Sequence, residues 1–244
     1  MKDWFLNWFD ENYLKYNLIT QSKDLTKKQV DFIIDVLSLK EKDRILDLGC
    51  GIGRHLIEFG KKGIKGVGID FNKKFINIAK KNKQKNKYIK FINMDIRKIN
   101  FVDEFDAAIS IWTSFGYFKD EENIDLLKKI NRSLKKGGKL LIDIENINYL
   151  INNLPKERWE NNMGVYILER NKLNIKSSRV KTIRILIKNN KKYEYIRDYR
   201  IYTLVEIKNY LENSGFKLTT FYGGYEKEEL NLFSKRLIMI SEKL

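Results

Sequence analysis

The chain has 244 residues, 43% hydrophobic and 33% charged, which fits one α/β unit with a proper buried core. No run of about 18 apolar residues occurs, so no membrane-spanning helix is expected. The lone cysteine, Cys50, cannot form an internal disulfide, and acidic residues interrupt the stretch after Lys2 where a secretory leader would be apolar. Both features predict a cytoplasmic protein.

In chain order, the opening is rich in aromatics at helical spacing: Trp4, Phe5, Trp8, Phe9, Tyr13 and Tyr16. Thr26 with Gln29 three residues on has the form of a capping box, and predicts a helix whose apolar face holds Val30, Ile33, Ile34 and Leu37. From residue 44 strands and helices alternate. Strand one (Ile45 to Leu48) leads through glycines to a helix from about His55 to Lys62. Strand two (Gly66 to Ile69) ends in Asp70 and precedes a lysine-rich helix. Strand three is Tyr88 to Ile92, and strand four is Phe105 to Ile111. Asp120 to Lys136 reads as a helix, acidic in its first turn and basic in its last, stopped by Gly137-Gly138. Lys139 to Ile144 is strand five. This alternation predicts a Rossmann-like, mostly parallel sheet with helices on both faces.

The alternation then breaks into three strand-like stretches, Val165 to Arg170, Val180 to Lys188 and Tyr193 to Tyr202. A helix from about Thr203 to Asn213 and strands Phe216 to Phe221 and Leu237 to Ile240 finish the chain. The expected division is 1–162 for N-terminal helices and cofactor core, 163–202 for a small antiparallel β insertion, and 203–244 for the rest of the core.

The formal net charge of +16 is compatible with a phosphate-binding surface. It is equally what a lysine-rich composition gives, as in the run Lys80 to Lys87, and the basic residues are spread along the whole chain. Nucleic acid as a partner is therefore not favoured.

The chemistry-bearing segment is Asp47-Leu48-Gly49-Cys50-Gly51-Ile52-Gly53, between strand one and a helix. Glycines let the backbone turn tightly and approach a ligand, and the helix N-terminus adds N–H donors suited to a carboxylate. Asp70 closes strand two, where a carboxylate can accept both hydroxyls of a ribose. Asp95 follows strand three, where an adenine edge can be read. All three acids stand at the carboxyl ends of neighbouring strands, where open α/β sheets bind ligands. A dinucleotide-binding loop normally has two residues before its last glycine; here only Ile52 separates Gly51 from Gly53.

Ile45 to Gly53 resembles the first motif of class I S-adenosyl-L-methionine (SAM) dependent methyltransferases. Gly68-Ile69-Asp70, Asn93-Met94-Asp95 and Phe105-Asp106-Ala107-Ala108 resemble the second, third and fourth in order and spacing. The resemblance is strong over residues 40–145 and looser over the last helix and strands. It implies a seven-stranded sheet whose last strand runs antiparallel, and SAM as cofactor, released as S-adenosyl-L-homocysteine. It places Gly49, Gly51 and Gly53 at the methionine moiety, Asp70 at the ribose, and Asp95 with its neighbours Met94 and Ile96 at the adenine, with Asp47 and Cys50 also in the cofactor site. Phe71, Ser110 and Ile111 complete the implied cofactor set. Thr113 to Phe118 and the insertion further resemble a small-molecule branch that includes amino-sugar N-methyltransferases.

A sulfonium already activates its methyl group, so no catalytic triad is required. His55 and Tyr117 are the candidate catalytic residues, each with ordinary packing as the alternative. Trp112, Tyr117, Arg197 and Tyr199 are the candidate acceptor-binding residues, the last two on one face of a strand with Tyr193 and Tyr195. Asp143 also lies near where an acceptor is expected, and Tyr13 and Tyr16 could close over SAM. No metal is expected. Strand four is followed by Trp112-Thr113 rather than a Pro-Pro motif, and Cys50 belongs to the cofactor loop, which argues against exocyclic-amine and cytosine-C5 DNA methylation. What remains is methyl transfer to nitrogen or oxygen of a small-molecule acceptor under the insertion as a lid. The alternative is an RNA or protein methyltransferase using the basic surface. A non-catalytic SAM-binding module is disfavoured because every cofactor motif is present. The oligomeric state is not legible.

Overall fold

β1 (Arg44–Leu48) is buried at every position after Arg44, as an apolar strand in the middle of a covered parallel sheet must be. It pairs in parallel with β2 (Lys65–Asp70) on one side and β4 (Phe105–Ser110) on the other. β3 (Ile89–Asn93) lies outside β2, and β5 (Leu134–Glu145), β11 (Arg236–Lys243) and β10 (Phe216–Tyr222) follow β4. The order is β10-β11-β5-β4-β1-β2-β3, and β11 alone runs antiparallel to its neighbours. This is the seven-stranded architecture expected. Strand order reverses between β1 and β4, which opens a crevice beyond their carboxyl ends. The computed structural model describes residues 3–162 and 164–244.

Alternate side chains of β1 feed two cores. Leu46 and Leu48 pack with Ile69, Ala108, Leu127 and Ile130 on one face; Ile45 packs with Val30, Ile33, Leu56 and Phe59 on the other. At about 1.5–3 kcal/mol per buried side chain, these layers hold the sheet edges in place. The covering helices are α3 (Lys23–Leu37), α4 (Arg54–Lys61), α5 (Lys73–Asn82), α6 (Asp120–Ser133) and α8 (Leu204–Glu212). The aromatic opening forms α1 (Phe5–Trp8), α2 (Glu11–Tyr13) and one π-helical turn (Leu14–Leu18). Among the described residues no helix is long and apolar enough to cross a membrane.

Three expectations need correction. α3 starts at Lys23, capped by Ser22, whose Oγ accepts from Leu25 N at 3.3 Å; Thr26 instead donates its hydroxyl to Ser22 O. α6 ends at Ser133, not Lys136, because Leu134 already pairs with Phe105; Gly137-Gly138 sits inside β5 at a register shift. The antiparallel insertion has four strands rather than three. α7 (Ile147–Asn153) leads into β6 (Glu157–Asn162), β7 (Val165–Asn174), β8 (Arg179–Lys188) and β9 (Lys191–Arg200), paired in that order. β6 has no apolar alternation, since it is an exposed edge strand, so its sequence carries no strand signal. The second sheet thus begins at Glu157, before the expected boundary, and residue 163 itself lies outside the described residues, as does Lys2.

Candidate active site

The glycine loop takes its shape from three left-handed residues, Gly49, Gly51 and Gly53, at φ of +80°, +54° and +78°. Gly49 N and Cys50 N both donate to Ile69 O, which ties the loop to β2. A Cβ on Gly49 would lie 2.8 Å from Ser114 Oγ, so only glycine lets the loops after β1 and β4 close on one another. Asp70 then fixes the loop from the side: its Oδ2 accepts from Gly51 N at 2.9 Å and its Oδ1 from Asn72 N at 2.8 Å.

Beyond these strand ends lies a cleft of about 910 Å³, including its open mouth. Its floor is Asp47, Gly49, Cys50, Gly51, Asp70, Phe71, Asp95, Ile96 and Ile111. Trp112, Ser114, Tyr117 and Phe118 form a wall, and Arg54 and His55 line it from α4. Phe5, Phe9, Tyr13 and Leu18 of the opening segment form the roof.

Two charges in this cleft lack a counter-ion. Asp47 is buried, neither carboxylate oxygen has a hydrogen-bond partner, and burial pushes its pKa up to about 7, with Asp70 adding to the rise and Arg54 opposing it. Arg54 forms no ion pair among the described residues. Its guanidinium donates to Thr26 Oγ1 at 2.8 Å and Gln29 Oε1 at 3.1 Å and lies 4.7 Å over the Trp112 ring, while burial lowers its pKa to about 10. A buried unpaired carboxylate is costly unless a cation meets it. An ammonium for Asp47 and a carboxylate for Arg54 are the two ends of an α-amino acid, so these residues fit the methionine moiety of SAM. Asp70, pushed up to about 6 by burial against the pull of the Asn72 and Gly51 amides, keeps lone pairs for ribose hydroxyls.

The other candidates divide. Asp95 lines the cleft, but both oxygens already hold Arg97, at 2.7 Å from Nη2, and Arg97 also meets Asp3 and Glu122. Against burial, that guanidinium keeps the Asp95 carboxyl below its usual range. His55 is buried with Nε2 2.9 Å from Gln29 Oε1; burial and Arg54 push its pKa well down, so the ring is neutral. Tyr117 is packed by Trp4 at 4.8 Å, Phe5 and Phe9, and burial pushes its pKa up, so at neutral pH it is a neutral aromatic wall and not a phenolate base. Burial likewise raises the Cys50 thiol far above its usual value. Trp112 and Thr113 are both left-handed, at φ +57° and +60°. Asp143 holds them there, its Oδ2 accepting from Trp112 N and its carbonyl from Thr113 N.

Six candidates do not line the cleft. Gly53 serves packing: a Cβ there would lie 2.3 Å from the Phe91 ring and 3.1 Å from Ala79. Met94 packs against the core and bonds Asp70 O through its amide, and Ser110 is buried in β4. Arg197 and Tyr199 lie on β9, and the Tyr199 hydroxyl donates to Glu145. Tyr16 turns toward the second sheet, with Val165 and Ile167.

Arg54 was not among the expected site residues, and of the roof only Tyr13 was. A cation in the first turn of a helix opposes the helix dipole, and that anomaly was the available signal for Arg54. For the roof it was the four-residue spacing of Phe5, Phe9 and Tyr13.

Comparison with known proteins agrees with this geometry. Residues 45–138 match the model of a methyltransferase domain family. YqeM of Bacillus subtilis, named only as a methyltransferase, is 27% identical over 213 residues, covering 84% of this chain and 86% of YqeM. Further curated relatives are matched over 26% to 55% of their own length. A SAM-dependent methyltransferase from Clostridium acetobutylicum superposes with a TM-score of 0.79 at 21% identity, over 98% of this chain and 99% of that one. CalS10 of Micromonospora echinaspora, an amino pentose methyltransferase solved with SAM bound, gives 0.71 at 16% identity, over 97% and 98%. At these identities the structural likeness is one of fold.

Proposed function

We propose that this chain is a SAM-dependent methyltransferase and that it methylates a nitrogen or oxygen of a small molecule held between the cleft and the antiparallel sheet. In this reading Asp47 holds the cofactor's ammonium, Arg54 its carboxylate and Asp70 its ribose, with the adenine beside Phe71, Asp95 and Ile96. When bound, SAM supplies a methyl group activated by its sulfonium, so the chain contributes alignment and exclusion of water.

The observation that carries the small-acceptor reading is the way the second sheet is tied to the cleft wall. Arg200 N of β9 donates to Gly116 O at 2.7 Å, and Arg179 donates to Phe118 O at 3.2 Å, on either side of Tyr117. The roof is tied to both bodies: Asn72 donates to Phe9 O at 2.6 Å, and Tyr195 of β9 donates to Asp10 at 2.7 Å. Such a cover suits a small acceptor better than a long polymer. Neither His55 nor Tyr117 is set up as a base, which favours an amine that attacks in its neutral form. The amino pentose acceptor named for CalS10 points the same way.

The test is transfer of label from methyl-tritiated SAM, first to a metabolite extract and then to RNA. Label in small amines or alcohols is expected. Label confined to RNA, with binding that falls linearly with log salt, would overturn the reading.

A further inference from the structure

Two arginines project from the inner face of the second sheet onto the same aromatic ring. Arg184 of β8 lies 4.3 Å from the Trp8 ring centre and Arg197 of β9 lies 5.3 Å from it. Arg184 is ion-paired, 2.6 Å from the Glu169 carboxylate that it shares with Arg158, with Asn17 at 3.2 Å. Arg197 has no ion pair and no hydrogen bond among the described residues, and its Nε is shut off from solvent. It is held by its faces instead, between Trp8 and Tyr199, whose ring centre is 4.5 Å away.

The acids nearby are committed elsewhere. Glu169 holds Arg158 and Arg184, Glu145 accepts from the Tyr199 hydroxyl, and Asp143 holds Arg236, Tyr225 and the Trp112 amide; Glu145 and Glu169 favour the Arg197 charge from a distance but accept none of its N–H groups. Stacking offsets only part of the cost of taking a guanidinium out of water, because its N–H donors point outward in the ring plane and need acceptors. Its place in the fold says where an acceptor group would come from. Trp8 packs on Trp4 at 6.4 Å, and Trp4 packs on Tyr117, the cleft wall, at 4.8 Å. Glu145, beneath Tyr199, ends β5 on the same carboxyl edge of the sheet as the cleft.

We infer that Arg197 is an anion-reading subsite, and that the methyl acceptor carries a carboxylate or a phosphate which it grips. This inference rests on the small-acceptor reading above and narrows it. A planar guanidinium presents two parallel N–H groups to either anion, so the shared chemistry is a bidentate oxyanion.

The probes are inorganic phosphate and acetate, compared with chloride at equal ionic strength on protein loaded with S-adenosylhomocysteine. Melting temperatures are measured for wild type, Arg197→Gln and Lys192→Gln, the last an exposed charge at the β8–β9 turn. One of the two anions should raise the wild-type melting temperature above the chloride value, phosphate marking a phosphorylated acceptor and acetate a carboxylated one. The rise should survive in Lys192→Gln and vanish in Arg197→Gln. Arg197→Met, which keeps the packing between the two rings, replaces the glutamine variant if that does not fold. No rise in wild type, or an undiminished rise in the Arg197 variant, overturns the subsite. Failure of S-adenosylhomocysteine itself to bind overturns the methyltransferase reading instead.

Discussion

Among the described residues neither Asp47, buried in the cleft, nor Arg197, half-buried on the second sheet, has an ion pair, and each has a side-chain polar atom that is shut off from solvent without a hydrogen bond. Asp47 is next to last in a strand of the parallel sheet, seven residues before Arg54 opens α4, and the glycine loop and Arg54 beside it belong to one strand–loop–helix unit. Arg197 belongs to the antiparallel sheet. Its surroundings are assembled from Trp8, Tyr199 and a wall loop far away in sequence. The first kind of site is written locally and can be read from a motif. The second exists only once the chain has folded. The comparison predicts that substitutions in the parallel sheet act on cofactor affinity, while those in the second sheet spare it.

The largest effect on the tie between the second sheet and the cleft wall should come from Gly116→Val. Gly116 has φ of +97°, and a Cβ would lie 2.5 Å from Arg200 O. Overpacking plus left-handed strain should cost about 2–4 kcal/mol, read as a lower denaturant midpoint, with cofactor affinity of the folded protein retained. An unchanged midpoint would break the link between β9 and the Tyr117 loop.

Next in size is the pH dependence. In the ligand-free protein the Asp47 and Asp70 carboxyls are raised, to about 7 and about 6. Their contribution to stability is therefore complete below the usual carboxylate range and is lost as pH rises through those values. Binding an ammonium needs the ionised form, so affinity for S-adenosylhomocysteine should run the opposite way, rising roughly tenfold per pH unit below about 6–7 and then levelling. Calorimetry across that range with a flat affinity would remove the two acids from the site.

The smallest effect should be Tyr195→Phe, which loses the hydroxyl bonds to Asp10 and Asn12. About 0.5–1.5 kcal/mol of stability should go, with cofactor affinity unchanged. A matching loss of affinity would mean that cofactor cleft and second sheet are not separable.

The same division explains what was legible. Asp47, Gly49, Gly51 and Asp70 line one cleft, as the sequence led one to expect, because a strand end followed by a glycine loop fixes their positions locally. Gly53 was misread for a reason visible only in three dimensions: its missing side chain makes room for Phe91. Asp95 stood in the right place, but the arginine two residues on engages its carboxylate. Alternation along β9 put Arg197 and Tyr199 on one face, yet nothing in the sequence says that Glu169 is taken by Arg184 and leaves Arg197 alone. β6 was missed because an exposed edge strand has no buried face to impose a pattern.

The most direct measurement is a calorimetric titration of SAM into the wild type and into Asp47→Ala. Removing the carboxylate that meets a buried ammonium should cost about 3–5 kcal/mol, so the variant should bind more than a hundredfold more weakly. Its ligand-free melting temperature should be equal or higher, since an unpaired buried acid has been removed. Equal affinity in the two proteins, or a wild type that binds NAD and ignores SAM, would contradict the account.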